Sequence, residues 1–442
     1  MGSDAGNPDR SGAPENARRD EYLFGPGPAW TAFALTLGLM LFNYADRYII
    51  VSVVPYLKSQ WSLSDAQLGA LSSVVSLAVA FFGIPIALVA DRSSRVRSIV
   101  TMAVTWSAAT VATMFARSYG QLFAIRGLVG LGEAGYGSVG TALIATHFPA
   151  RLRGTVLAGF FAAASIGNVL GVMLGGLIAV RFGWRAAFGV VGVPGLLLAL
   201  LYLKVRDYPT AAIAPGTSAP RALAGHLGSF ASTPALRWVC LGAAAQLVVF
   251  AAVSFWLPSY FTRYQGLSPD QAALRAALVA LVGGIGSLVW GRVVDRTGGS
   301  RPHRRLYVVA ALCTLSAVCA IIAFGVTGRL PIPGSTLQLG FIVLAGFMLA
   351  CTVGPAAAVV MELVHPSVRS AGAALLSLFQ NLGLAGGAYI AGVLSDRVGL
   401  ATALTVVPVF ACLAALLFVL AGRSYDSSRS LASQPIAQTA AS

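Results

Sequence analysis

Charge is what this sequence has least of. Only 10% of its 442 residues are Asp, Glu, Lys or Arg, against about 25% in a soluble domain. With 57% of residues hydrophobic, too few polar side chains remain to cover a water-soluble globule. The same composition excludes a disordered chain, which needs low hydrophobicity and high charge. Acids are scarcest, 15 against 30 bases, for a formal charge of +15. In a soluble protein that excess points to nucleic acid; here its meaning depends on where the bases sit.

Cysteine and histidine are also sparse. Cys240, Cys313, Cys319, Cys351 and Cys412 fall in or beside apolar stretches without a CxxC, where a free thiol behaves as a small hydrophobe. His147, His226, His303 and His365 lack metal-ligand spacing. No metal and no cofactor is expected. No G-xxxx-G-K-[ST] loop and no nucleophile elbow occurs, so neither ATP-driven pumping nor catalysis is expected. Gly130-Leu-Gly132-Glu-Ala-Gly135 fits G-x-G-x-x-G, but it lies inside an apolar run with no strand before it. The next acid is Asp207, so the ribose partner about 20 residues on is missing.

What the chain does have is apolar length. Twelve runs can cross about 30 Å of hydrocarbon, which takes roughly 20 residues each: 29–57, 66–90, 98–116, 119–147, 155–180, 185–204, 236–262, 271–294, 306–327, 337–364, 371–395 and 400–422. They lack the two-residue alternation of barrel strands. The expected fold is an all-α polytopic membrane protein of twelve spans. Residues 1–28 and 423–442 read as polar tails. Residues 205–235 are the longest polar gap, dividing a first six-span half (29–204) from a second (236–422). With the N-terminus inside, 20 of the 30 Lys and Arg fall in inner segments and 8 in outer ones. This predicts both termini in the cytoplasm, in a cell membrane that we expect to be a bacterial inner membrane. The positive excess is thus an insertion and lipid-surface signal; no nucleic-acid partner is expected.

The halves repeat. Ala87-Leu-Val-Ala-Asp91-Arg92-Ser-Ser94-Arg95-Val-Arg97 follows the second span, and Gly291-Arg-Val-Val-Asp295-Arg296-Thr-Gly298-Gly-Ser-Arg301 the eighth. Gly176-xxx-Val180-Arg181-x-Gly183 matches Gly392-xxx-Asp396-Arg397-x-Gly399, and Arg153 matches Arg369. The Asp91 and Asp295 elements resemble the G-xxx-D-R-x-G-x-[RK]-[RK] signature of the major facilitator superfamily. The first copy departs at Ala87, Ser94 and Val96, and the second at Ser300. The resemblance implies two six-helix bundles related by an axis along the membrane normal, with a central site reached alternately from each side. It assigns gating to Asp91, Arg92, Asp295 and Arg296. Within the superfamily, Phe42-Asn-Tyr-Ala-Asp46-Arg47-Tyr48 and Arg126-Gly-Leu-Val-Gly-Leu-Gly-Glu133-Ala-Gly-Tyr136 resemble the spinster branch of lysolipid and sphingolipid transporters.

Four ionisable residues lie deep in spans: Asp46, Arg47, Arg126 and Glu133. Each isolated charge there costs about 2.5–3.5 kcal/mol, so each needs a partner or water. Arg126 and Glu133, seven apart, share a helix face, among glycines that admit close neighbours. Asp46 and Arg47 point about 100° apart, so only one faces a cavity fully. In low dielectric, desolvation favours a protonated carboxyl and a nearby guanidinium the ionised one; that balance suits a group that loads and releases a proton. Asp46 and Glu133 are therefore expected to carry protons. Arg126 and Arg47, with Tyr48 and Tyr136 beside them, are expected to bind an anionic headgroup or to hold a carboxylate ionised until protonation releases it. Phe255 and Trp256, in the aromatic stretch of the seventh span, would meet an apolar tail. Glu362 is expected to pair with Arg296 or Arg301 as a latch. The expected activity is proton-coupled transport of a lysophospholipid or sphingoid lipid by a monomer among membrane lipids. A small organic anion such as a sugar acid is the alternative substrate.

Overall fold

The computed structural model describes residues 22–208, 233–298, 301–327, 336–364 and 369–432. The described residues are almost entirely helical. In the first half the helices are α1 (Pro26–Trp61), α2 (Asp65–Asp91), α3 (Arg95–Thr113), α4 (Tyr119–Glu133), α5 (Tyr136–His147), α6 (Ala150–Phe182) and α7 (Trp184–Leu201). In the second they are α8 (Pro234–Gln265), α9 (Pro269–Gly298), α10 (Arg304–Ile321), α11 (Thr336–Leu349), α12 (Val353–Leu363), α13 (Arg369–Val398), α14 (Leu400–Val406), α15 (Val409–Arg423) and α16 (Tyr425–Ala432).

Local chemistry sets the boundaries. Pro26 and Pro234 stand in the first turns of α1 and α8, where a missing N–H costs nothing. Ser64 caps α2 in a reciprocal box with Gln67, and Ser94 and Ser118 cap α3 and α4. Gly183 and Gly399, matched in the sequence repeat, adopt the same turn, with φ 81° and ψ 155° in one and φ 82° and ψ 152° in the other. A side chain rarely tolerates that conformation.

Ten described helices, several of them joined from adjacent pieces, are long and apolar enough to cross a membrane. The expected spans 98–116 and 119–147 are not among the ten. The first, α3, carries two arginines and six Ser or Thr. The second breaks at Gly135, φ +88°, into α4 and α5. Large apolar side chains face outward along the bundle, among them Phe81, Val89, Phe182 and Leu288. An apolar exterior of that extent suits a lipid surface.

Two expected tails are partly ordered. Tyr22 and Phe24 pack on Phe148 and His147, so the first half begins before residue 29. Past residue 423, α16 buries Tyr425 and Ser428, and Ser428 Oγ accepts the Ala235 N–H at the start of α8. Residues 1–21, 209–232 and 433–442 lie outside the described residues, with most of the expected linker.

Glycine ladders let the central helices touch. A Cβ on Gly167, Gly171 or Gly175 of α6 would stand 2.3, 2.4 or 2.9 Å from the carbonyl oxygens of Leu41, Ala45 and Ile49 in α1. Gly130 and Gly132 wedge α4 equally tightly between Val75 of α2 and Trp106 of α3. The halves meet along two seams, α2 against α13 and α6 against α9. We expect Gly171→Ala to lower the detergent melting temperature, through overpacking of about 1–3 kcal/mol. Gly137→Ala, with nothing within 4 Å of the new methyl, should leave it unchanged or raise it.

Candidate functional site

The four intramembrane charges are sorted into two pairs by the geometry of α1 and α4. Asp46 turns from α1 towards α3 and α4. Its Oδ1 lies 3.5 Å from Arg126 Nη1, and its Oδ2 accepts a 2.5 Å hydrogen bond from Thr110 Oγ1. Both side chains of this pair are sealed, Arg126 with no exposed surface. Arg47, one residue on, swings the other way. Its Nε lies 3.3 Å from Glu133 Oε2, and its side chain is 15% exposed.

Arg47 reaches a cleft between the halves, lined also by Tyr48 and Val51 of α1, Ser72 and Ser76 of α2, Ala251, Ser254 and Phe255 of α8, and Leu384 of α13. One wall carries a guanidinium and hydroxyls and the other is mainly apolar. The pairs are incompletely bonded: all three guanidinium nitrogens of Arg126, Nη2 of Arg47 and Oε1 of Glu133 are buried without a hydrogen-bond partner. Buried charge in that state calls for water or a ligand group.

Three of the expected substrate contacts do not line the cleft. Arg126 lies behind α1 with Asp46, the carboxylate-holding arrangement that is the other role expected of it. Tyr136 is buried, its hydroxyl donating to the Thr36 carbonyl at 2.7 Å and its ring against Trp106 and Phe160. It ties α5 to α1. Trp256 is buried as well, its indole N–H donating to the Ala388 carbonyl at 3.0 Å and its face beneath the Arg263 guanidinium. Phe255 alone of the aromatic pair meets the cleft, because adjacent residues on α8 diverge by about 100°.

The residues assigned to gating divide. Arg92, Asp295 and Arg296 are exposed at the end of the bundle that carries Tyr22 and α16, while the Asp91 side chain is outside what is described. Glu362 pairs with neither Arg296 nor Arg301. Its Oε1 accepts from Arg305 Nη1 and its Oε2 from the Tyr425 hydroxyl, each at 2.6 Å. Its reach ends at the start of α10 and at α16, elements of its own half. Burial and the Glu362 carboxylate push the Tyr425 phenol well above its ordinary value, so it remains a donor.

The opposite, distal end holds a constellation that sequence reading missed. Asp65, at the start of α2, accepts from Lys58 Nζ at 2.5 Å, from Arg263 Nη1 and Nη2 at 2.6 and 2.8 Å, and from Ser395 Oγ at 2.5 Å. In return, Asp396 at the end of α13 accepts the backbone N–H groups of Asp65 and Ala66, both at 2.8 Å. A carboxylate from one half thus caps a helix of the other, where the helix dipole favours it. Gly392 makes the approach possible, since a Cβ there would lie 2.4 Å from the Asp65 carbonyl oxygen. Two signals were available. Gly392-xxx-Asp396-Arg397-x-Gly399 has the core form of the signature, on the opposite membrane face. The segments read as outer hold only three acids, Asp65, Asp270 and Asp396, and two of them meet here.

Two helical halves, an apolar exterior, a charged cleft between them and a latched end define a membrane carrier. The chain belongs to the Major Facilitator Superfamily, whose description matches residues 36–388 and, overlapping, 266–435. It is 27% identical over 377 residues to an MFS-type efflux pump of Mycolicibacterium smegmatis, covering 84% of this chain and 86% of that one. It is 26% identical over 395 residues to human protein spinster homolog 3, covering 84% and 76%. Among solved structures, a bacterial homologue of the human lysosomal transporter spinster, in an inward-facing, unoccupied conformation, superposes with a TM-score of 0.80 at 24% identity, over 92% of this chain and 99% of that one. The chain is a multi-pass membrane transporter of this superfamily, similar to spinster proteins, and not an enzyme.

Proposed function

We propose that the protein is a proton-coupled carrier of an anionic amphiphile, a lysophospholipid or a related sphingoid lipid, with both termini in the cytoplasm of a bacterial cell. The observation that carries this is the Arg47–Glu133 pair at the wall of a cleft whose other side is mainly apolar. Protonating Glu133 neutralises the carboxylate, breaks the ion pair and frees the Arg47 guanidinium for a phosphate or carboxylate, which it binds bidentately. The serines at 72, 76 and 254 offer further hydroxyls to the headgroup. The acyl tail lies along Val51, Ala251, Phe255 and Leu384. The Asp46–Arg126 pair behind α1 is the second proton store, and the Asp65–Asp396 latch holds the outer side shut while the cytoplasmic side exchanges substrate.

The test is counterflow and pH-gradient-driven uptake in proteoliposomes, with lysophospholipid, a sphingoid lipid and a hexuronate offered separately. Lipid exchange accelerated by substrate on the trans side, and driven by a pH gradient, is the expected result. Preference for the hexuronate, or exchange indifferent to the gradient, would overturn it.

A further inference from the structure

The least explained side chain near these charges is a threonine. Thr110 is buried in α3, and its Oγ1 lies 2.5 Å from Asp46 Oδ2 and 2.8 Å from the Trp106 carbonyl oxygen. A hydroxyl has one proton to give and lone pairs to accept with. It cannot donate to both oxygens at once, so the protonation of Asp46 decides the direction of both bonds. When Asp46 is ionised, Thr110 donates to Oδ2, and the Trp106 carbonyl keeps only its helix bond. When Asp46 carries a proton on Oδ2, that O–H donates to Thr110, whose own proton turns to the Trp106 carbonyl. Either arrangement keeps the bond between Oδ2 and Thr110 with every heavy atom in place.

The other oxygen is reserved. Asp46 Oδ1 faces Arg126, and a cation repels a proton. The charged groups around the carboxyl are Arg126 and Glu133 from α4 and Arg47 from α1; α3 contributes only this hydroxyl. We propose that Thr110 is a positioning residue for proton loading: it directs the proton to Oδ2 of Asp46 and bonds the carboxyl in both charge states. The proton comes from water on loading and returns to water on release, so no other bond changes. The inference rests on Asp46 being a proton carrier, as proposed above.

The test compares Thr110→Val, which keeps the shape and loses the hydroxyl, with Thr110→Ser, which keeps the hydroxyl and loses the methyl packed beside Gly192. The readout is the pH profile of gradient-driven transport in proteoliposomes. The bond to the ionised carboxylate is the stronger of the two, so Val should move the midpoint upward. The expected move is about one pH unit, a tenfold change in proton affinity, with Ser on the wild-type curve. Should Thr110→Val fail to fold in detergent, Thr110→Ala removes the same hydroxyl and takes its place. A Val or Ala profile that overlays the wild type would overturn the inference. So would a Ser profile displaced as far as Val, which would assign the effect to packing. Asp46→Asn separates the two readings: coupling that survives it removes Asp46 as carrier, whereas coupling lost there with an unmoved Val profile removes Thr110 alone.

Discussion

Glu133→Gln should reduce pH-gradient-driven uptake to the level of protein-free liposomes while leaving substrate counterflow measurable. The amide keeps the size of the side chain and its contact with Arg47, but position 133 is then permanently neutral and carries no proton through the cycle, and the Asp46 store alone does not drive uptake. Arg47→Ala acts in the opposite sense, leaving a carboxylate in a wall from which water is largely excluded. Removing one partner of a buried pair costs about 3–5 kcal/mol, and a clear drop in detergent melting temperature is expected. The double variant Arg47→Ala, Glu133→Gln removes both charges and should recover most of that loss without recovering transport. Gradient-driven uptake retained by Glu133→Gln would remove this pair from the coupling machinery. A double variant no more stable than Arg47→Ala would show that the two side chains are not energetically a pair.

The second large effect belongs to the distal latch. Asp65 collects three cationic or hydroxyl donors from α1, α8 and α13, and its loss leaves Lys58 and Arg263 facing a neutral group. Hydrogen bonds to a charged group are worth about 1.5–3 kcal/mol each. Part of this is screened, because Lys58 and Arg263 are partly exposed. Even about 1.4 kcal/mol is a tenfold change in the balance between closed and open distal ends. In a Ser254→Cys background, whose new thiol lines the cleft, Asp65→Asn should speed labelling by an impermeant reagent from the outer side by about tenfold or more. Asp396→Asn should do the same through the amides at the start of α2. Labelling rates unchanged in both variants would show that the seal rests on the glycine-mediated backbone contacts instead.

Much of the fold was legible because lipid imposes simple demands. Apolar length, the asymmetry of the arginines and the repeated Asp-Arg elements each follow from moving a chain into hydrocarbon, and none needs knowledge of which helix touches which. The internal repeat even anticipated backbone conformation, as the matched turns at Gly183 and Gly399 show. Where the reading fell short, the cause was direction. Tyr136 and Trp256 have the right composition and neighbourhood for a binding wall. One turn of helix sends the first to the Thr36 carbonyl and the second to that of Ala388. Glu362 illustrates the same limit at a helix end, where the docking of α16 decided its partners.

The scarcity of charge, by itself, determined that this protein lives in a membrane and that each of its four intramembrane charges needs a partner or water, since each would be costly alone. Which charge answers which was decided only by tertiary structure. Asp46 and Arg47 are neighbours in sequence yet belong to different pairs, one sealed against α3 and α4 and one open to the cleft. The α-helix separates adjacent side chains by about 100°, and only the position of α4, packed on α2 and α3, determines what waits in each direction. The distal latch has the same origin. Its partners lie some 330 residues apart, and proximity at that distance is a property of the folded chain.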